Sequence, residues 1–347
     1  MTVNFRSDNV TGFHPAILRA IEAANAGPAL PYGNDAITAR LEKRFAEVFE
    51  TDVTIFPVAT GTAANSLSLA AATPPWGAVY CHTESHVLLD ECNAPEFYTG
   101  GARLVPLEGE HGRIATETLE SALAAAPPGV HHAQPASVSI TQLTECGTAY
   151  APDHVAALGR IAHARGLVLH MDGARFANAL VGLGCTPAAL TWRAGVDILS
   201  FGATKNGALA AEAIVVFRKD LAQHLGFRRK RAGHLFSKMR FLSAQLEAYL
   251  ESDLWLANAR HANDQARALA TGLSALKGVK LLHPVDGNEV FAHMPAALAE
   301  AIAAAGFAME TWKPDPALPL LRLVTAFNTS QAGVDALLQA ARRQKAA

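Results

Sequence analysis

The chain has 347 residues, half of them hydrophobic and 17% charged, with 29 Lys and Arg against 31 Asp and Glu for a net charge of −2. That balance excludes the basic excess of a nucleic-acid or membrane-surface binder, and the apolar half excludes a disordered chain. A chain this long buries roughly three-quarters of its unfolded surface without staples, and Cys81, Cys92, Cys146 and Cys185 are too far apart for a zinc pattern or a secreted disulfide framework. Met1 to Asp8 shows no basic segment leading into an apolar run, and no apolar stretch reaches bilayer length. A cytoplasmic location is expected.

From about residue 50 to 220, short apolar runs alternate with helical patterns. The runs Thr54–Val58, Ala78–Cys81, Arg103–Leu107, Ser137–Thr141, Leu167–Met171, Asp197–Phe201 and Ala213–Phe217 predict seven strands. Gly61–Ala72, Ala115–Ala126, Asp153–Arg165 and Arg175–Val181 predict helices between them. Strands alternating with helices give a mostly parallel sheet covered on both faces, and several runs are apolar throughout, as doubly buried strands should be. One long helical stretch follows over Gly233–Leu276. Then come strands near Val279–Leu282, Val290–His293 and Leu320–Thr325, with helices near Ala296–Ala305 and Ser330–Arg343. The expected fold is α/β: a large domain over 1–240, then a linking helix and a smaller α+β domain over 241–347.

Ligands of such sheets collect beyond the carboxyl ends of the strands, and three ends carry chemistry. Thr54–Val58 runs into Ala59-Thr60-Gly61-Thr62, which opens a helix. This reads as a phosphate site on helix N–H groups, or simply as a turn capped by Thr60. Leu167–Met171 ends in Asp172-Gly173-Ala174-Arg175. The acid is either a functional carboxylate or half of a local ion pair with Arg175. Asp197–Phe201 ends in Gly202-Ala203-Thr204-Lys205-Asn206-Gly207, where Lys205 is either a Schiff-base lysine among small residues or a snorkelling one. Phosphate turn, acid, then lysine is the order expected of a pyridoxal phosphate site, with the acid on the pyridine nitrogen and the lysine on the aldehyde. No histidine or cysteine spacing marks a metal centre.

With these residues the chain resembles the low-specificity L-threonine aldolases, enzymes of pyridoxal phosphate fold type I with an aspartate-aminotransferase-like architecture. The resemblance covers nearly the whole chain. Arg6-Ser7-Asp8-Asn9, Pro31-Tyr32-Gly33-Asn34-Asp35 and His86 with Glu91 are similar to family segments; the Asp172–Arg175 and Ser200–Gly207 runs are the most specific matches. The resemblance implies an aldehyde-lyase that cleaves L-threonine or L-allo-threonine reversibly to glycine and acetaldehyde. It implies that Lys205 binds the cofactor aldehyde, Asp172 its pyridine nitrogen, and Gly61 and Thr62 its phosphate. His86 stacks on the ring or serves as base, with Asp90 in support. Arg175 and Arg322, helped by Ser7, hold the substrate carboxylate, a target that suits a guanidinium fork. Tyr32 and Arg231 reach toward a neighbouring subunit, which implies a homodimer or homotetramer with shared sites.

The chain departs from the family mildly at Phe327-Asn328-Thr329, where members often read W-D-T, and more in one other run. Many members carry E-N-T-H after the fourth strand, where this sequence reads Thr141-Gln142-Leu143-Thr144-Glu145-Cys146-Gly147, without a histidine. Two other readings are an aminotransferase or β-eliminating lyase on the same fold, and a non-catalytic binding protein. The joint presence of Asp172, Arg175, Lys205 and Arg322 speaks against the last.

Overall fold

A computed structural model describes residues 3–343. Residues 1–2 and 344–347 lie outside the described residues, and with them the start of the Met1–Asp8 stretch read above. The chain first lays down Val3–Asn4 as a short strand, then the helices Pro15–Ala24 and Ala36–Phe49. Pro15 at the first helical position and Asp35 as N-cap, accepting the Thr38 N–H at 2.9 Å, start those helices.

Seven strands follow: β1 (Thr54–Val58), β2 (Gly77–His82), β3 (Arg103–Leu107), β4 (Gln134–Thr141), β5 (Val168–Gly173), β6 (Ile198–Gly202) and β7 (Glu212–Val216). They form one sheet in the order β1-β7-β6-β5-β4-β2-β3. β7 runs antiparallel to both β1 and β6, and the other pairs are parallel. Strand alternation assigns the faces. In β5, Leu169 and Met171 enter the larger core while Val168 faces a second one; in β6, Leu199 and Phe201 take the first and Ile198 the second. The helix Gly61–Ala72 covers the second face through Ala63, Ala64 and Leu67.

The helical stretch predicted over Gly233–Leu276 is broken. Arg240–Leu250 and Leu254–Ser274 are separate helices that part at Ser252 and Asp253, both at positive φ, and a short helix, Leu225–Arg231, precedes the stretch. No Gly or Pro marks that break. Four antiparallel strands complete the chain: β8 (Lys280–Leu281), β9 (Glu289–His293), β10 (Glu310–Lys313) and β11 (Leu320–Val324), in the order β10-β11-β9-β8. Their core takes Val290, Leu321 and Leu323, with Leu337 from the helix Gln331–Arg343 and Phe5 from the N-terminal segment. Val3–Asn4 pairs in parallel with Phe307–Ala308. The helix Leu254–Ser274 contributes Trp255 and Ala259 to the large core, and Ala266, Leu269 and Leu273 to the small one.

Candidate active site

Period-two alternation that sends Val168 and Ile198 to the face under the helix Gly61–Ala72 sends Asp172 and Ser200 to the same face, nearer the strand ends. There the apolar lining gives way to polar groups. A cavity of about 350 Å³ opens among Gly61, Thr62, His86, Asp172, Lys205 and Glu212. Five of the residues singled out from the sequence thus meet in one place, with Glu212 added.

The cavity is built from neutral donors, carboxylates and one amine. Thr60 caps the helix, its hydroxyl accepting the Ala63 N–H at 3.2 Å. The N–H groups of Gly61 and Thr62 start the helix and have no intrahelical acceptor. Asp172 is 2% exposed; its Oδ1 accepts the Ala174 N–H at 3.0 Å and its Oδ2 accepts Asn65 Nδ2 at 2.9 Å. Arg175 does not pair with it, so the local ion pair considered for Asp172 is absent. The Asn65 amide also donates to Glu91 Oε1 at 2.8 Å, and that oxygen accepts His86 Nδ1–H at 2.8 Å. His86, Glu91, Asn65 and Asp172 are therefore one buried network. The Glu91 bond holds His86 above its ordinary pKa against the pull of burial, and burial raises Glu91 itself.

Beneath the cavity, His170 bridges Ser139 Oγ at 2.9 Å and Ser200 Oγ at 3.0 Å. Burial pushes its pKa down to about 3, so the ring is neutral and ties three strands together. On the β4 side, Gln142 exchanges hydrogen bonds with the Tyr150 backbone at 2.8 and 2.9 Å, closing the loop that carries Glu145. Gly147 in that loop has φ +73°, and a Cβ there would stand 2.9 Å from the Glu289 Cβ.

Neither arginine singled out for the substrate carboxylate lines this cavity. Arg175 Nε and Nη2 donate to Asp8 at 2.8 and 3.1 Å, and Nη1 stands 3.3 Å from Glu289 Oε2. Asn288 Nδ2 also donates to Asp8, at 3.1 Å. Burial works against the charge of Asp8, yet Arg175 and then Lys205 hold its carboxyl below the usual range. Burial raises Glu289 to about 7. Arg322 lies over the Trp312 ring at 4.7 Å and donates to the Arg6 carbonyl at 3.2 Å. Ser7 caps the Asp8–Val10 turn. Asp90 is exposed at the end of the short helix His86–Leu89, and Tyr32 and Arg231 are exposed at the surface, with Lys230 over the Tyr32 ring at 4.9 Å.

The donor set fits pyridoxal phosphate. A buried carboxylate with only neutral donors lacks a positive partner, which a protonated pyridine nitrogen provides; free helix N–H groups suit a phosphate, and Lys205 offers an amine to an aldehyde. Glu212, Asn65, Asp8 and Glu289 were not singled out from the sequence. The alternation in β7 could have revealed Glu212, an acid on the cavity side of an otherwise apolar strand.

Comparison with known proteins agrees with this geometry. A family model described as beta-eliminating lyase matches residues 4–297. The low specificity L-threonine aldolase of Pseudomonas aeruginosa is 44% identical over 90% of both chains, and that of another Pseudomonas species is 43% identical over 89% of both. A solved threonine aldolase from Leishmania major superposes with a TM-score of 0.93 at 27% identity, covering 99% of both chains. The chain belongs to the beta-eliminating lyase family and, within it, to the low-specificity L-threonine aldolases.

Proposed function

We propose that this enzyme cleaves the Cα–Cβ bond of L-threonine, L-allo-threonine and other L-β-hydroxy-α-amino acids to glycine and an aldehyde, reversibly and with pyridoxal phosphate. When bound, the cofactor supplies an electron sink for the pair left on Cα. One observation carries the reading: Gly61, Thr62, His86, Asp172 and Lys205 line a single cavity at the sheet's carboxyl edge.

Gly61 and Thr62 would hold the cofactor phosphate with backbone N–H groups, Asp172 would pair with its pyridine nitrogen, and Lys205 would offer its amine to the aldehyde. His86 has Nδ1 committed to Glu91, which leaves Nε2 for the substrate. In its charged form it donates to the β-hydroxyl; in its neutral form it takes the hydroxyl proton, directly or through a water that Asp90 helps to hold. Such base catalysis contributes roughly 10²–10⁴-fold. Arg322 leads in binding the substrate carboxylate, with Arg175 and Ser7 in support, and orients the Cα–Cβ bond for cleavage.

Among the described residues no helix is long and apolar enough to cross a membrane. We take the enzyme to be cytoplasmic and to assemble as a homodimer or a dimer of dimers, with Tyr32 and Arg231 serving the neighbouring site. We divide it into a cofactor-binding domain over 1–240 and a smaller domain over 241–347.

The visible spectrum of the purified enzyme loaded with pyridoxal phosphate tests the reaction. Expected are a band that moves to long wavelength with glycine, acetaldehyde released from L-allo-threonine, and loss of that release in Lys205→Ala. Bleaching by amino donors would point to an aminotransferase, and the absence of any band would sink the reading.

A further inference from the structure

We propose that Glu212 is a positioning residue for Lys205: its carboxyl holds the turn that carries the lysine and is the counter-charge that the lysine nitrogen faces once it bears the cofactor. The inference rests on the role given to Lys205 above.

Glu212 opens β7, the strand that runs against its neighbours. Its register partners are Val58 at the end of β1 and Gly202 at the end of β6. The first strand leads into the phosphate turn and the second into the lysine, so one side chain stands between the two. It is 6% exposed and lines the same cavity as Lys205. Its Oε2 accepts the Ala203 N–H at 2.7 Å, and Thr204 favours its charged form. These are the two residues before Lys205, so the carboxyl fixes where the short helical turn Thr204–Asn206 begins.

The charges around this pair narrow its role. Lys205 is the cation whose field reaches Glu212, and Lys205 also lies in the field of Asp8. Asp8, from the N-terminal segment, is already matched by two hydrogen bonds from Arg175. Across the cavity, Asp172 is held by Asn65 and Ala174, and His86 by Glu91. From the helix Arg240–Leu250, Tyr249 accepts Asn206 Nδ2 at 2.7 Å. Among the described residues Glu212 makes no ion pair, and Lys205 is the cation it faces. Burial raises its pKa to about 7, so above neutral pH it presents a full negative charge. An adjacent anion favours the protonated form of the lysine-derived nitrogen, and removing it lowers that group's pKa.

The test is a pH titration of the visible absorption of the holoenzyme, comparing wild type, Glu212→Gln and Glu212→Asp. Expected is a midpoint about one pH unit lower in Glu212→Gln, a smaller fall in Glu212→Asp, and retention of the cofactor through gel filtration in both. A Glu212→Gln midpoint equal to wild type would overturn the proposal and leave Glu212 a packing residue. Should Glu212→Gln fail to fold, Glu212→Asp decides, because it keeps the charge but withdraws it by one methylene; an unmoved midpoint overturns the proposal there too. A wild-type protein without a visible band would overturn the role of Lys205 as well, whereas a band with an unmoved midpoint would overturn that of Glu212 alone.

Discussion

Arg175 and Arg322 sit in opposite environments. The Arg175 side chain is 4% exposed, with two nitrogens on Asp8 and the third facing Glu289. Arg322 is half-buried; it stacks on Trp312, gives one hydrogen bond to a backbone carbonyl, and keeps a buried Nε with no partner. A guanidinium enclosed by two carboxylates is a fixed part of the frame, since its charge is already neutralised. A guanidinium on an aromatic face with donors to spare is ready for an incoming anion. The difference teaches that the two arginines are built for different work: Arg175 joins the N-terminal segment to both sheets, whereas Arg322 keeps a donor uncommitted, which suits the substrate-carboxylate role proposed for it above.

The largest effect that would sharpen this contrast is on folding. Arg175→Leu leaves Asp8 and Glu289 buried without their cation and should cost about 3–5 kcal/mol in urea unfolding. A loss below about 1 kcal/mol would mean that Arg175 is not part of the frame. Arg322→Leu should do the reverse: stability changes little, while KM for L-allo-threonine rises about 10- to 100-fold, the worth of a charged hydrogen bond. An unchanged KM would remove Arg322 from the substrate site.

Glu289 gives a subtler test. Its folded-state pKa of about 7 lies above the ordinary value of 4.5, so the folded protein binds that proton more tightly than the unfolded chain. Its contribution to stability is fully present below the ordinary glutamate range and is lost as pH rises toward 7. Denaturation between pH 5 and 8 should therefore show a steeper decline in wild type than in Glu289→Gln. Parallel curves would mean that Arg175 keeps Glu289 ionised throughout. The smallest effect belongs to a surface pair. Arg267 and Asp264 meet at 2.7 Å with side chains 65% and 55% exposed, and Asp264→Ala should change stability by no more than about 0.5 kcal/mol.

Much of the frame was legible because the buried strands announce themselves. β1, β3 and the helix Gly61–Ala72 occupy the residues expected of them, and the other large-sheet strands shift by a few residues at their ends. Asp172 and Lys205 stood out because each follows an apolar run and sits among small residues. Their partners did not. Asp8 and Glu289 are brought to one guanidinium only by tertiary folding, and Asn65 is an amide within a small-residue helix, with no local sign that it bridges two acids. The strand Glu310–Lys313 was missed because its Glu-Thr-Trp-Lys edge carries no run of apolar residues. The helices Pro15–Ala24 and Ala36–Phe49 carried start signals in Pro15 and Asp35 that were open to reading.

The helix Leu254–Ser274 acts as an axle. Its 21 residues begin among the aromatic side chains of the large core and end among the leucines of the small one. A backbone hydrogen-bonded along its length cannot melt at one end and leave the packing at the other intact. The two bodies therefore share their cooperativity, and calorimetry of this protein should trace one endotherm rather than two. A chain built this way loses the cavity at the edge of the large sheet and the packing of the small sheet together, at a single temperature.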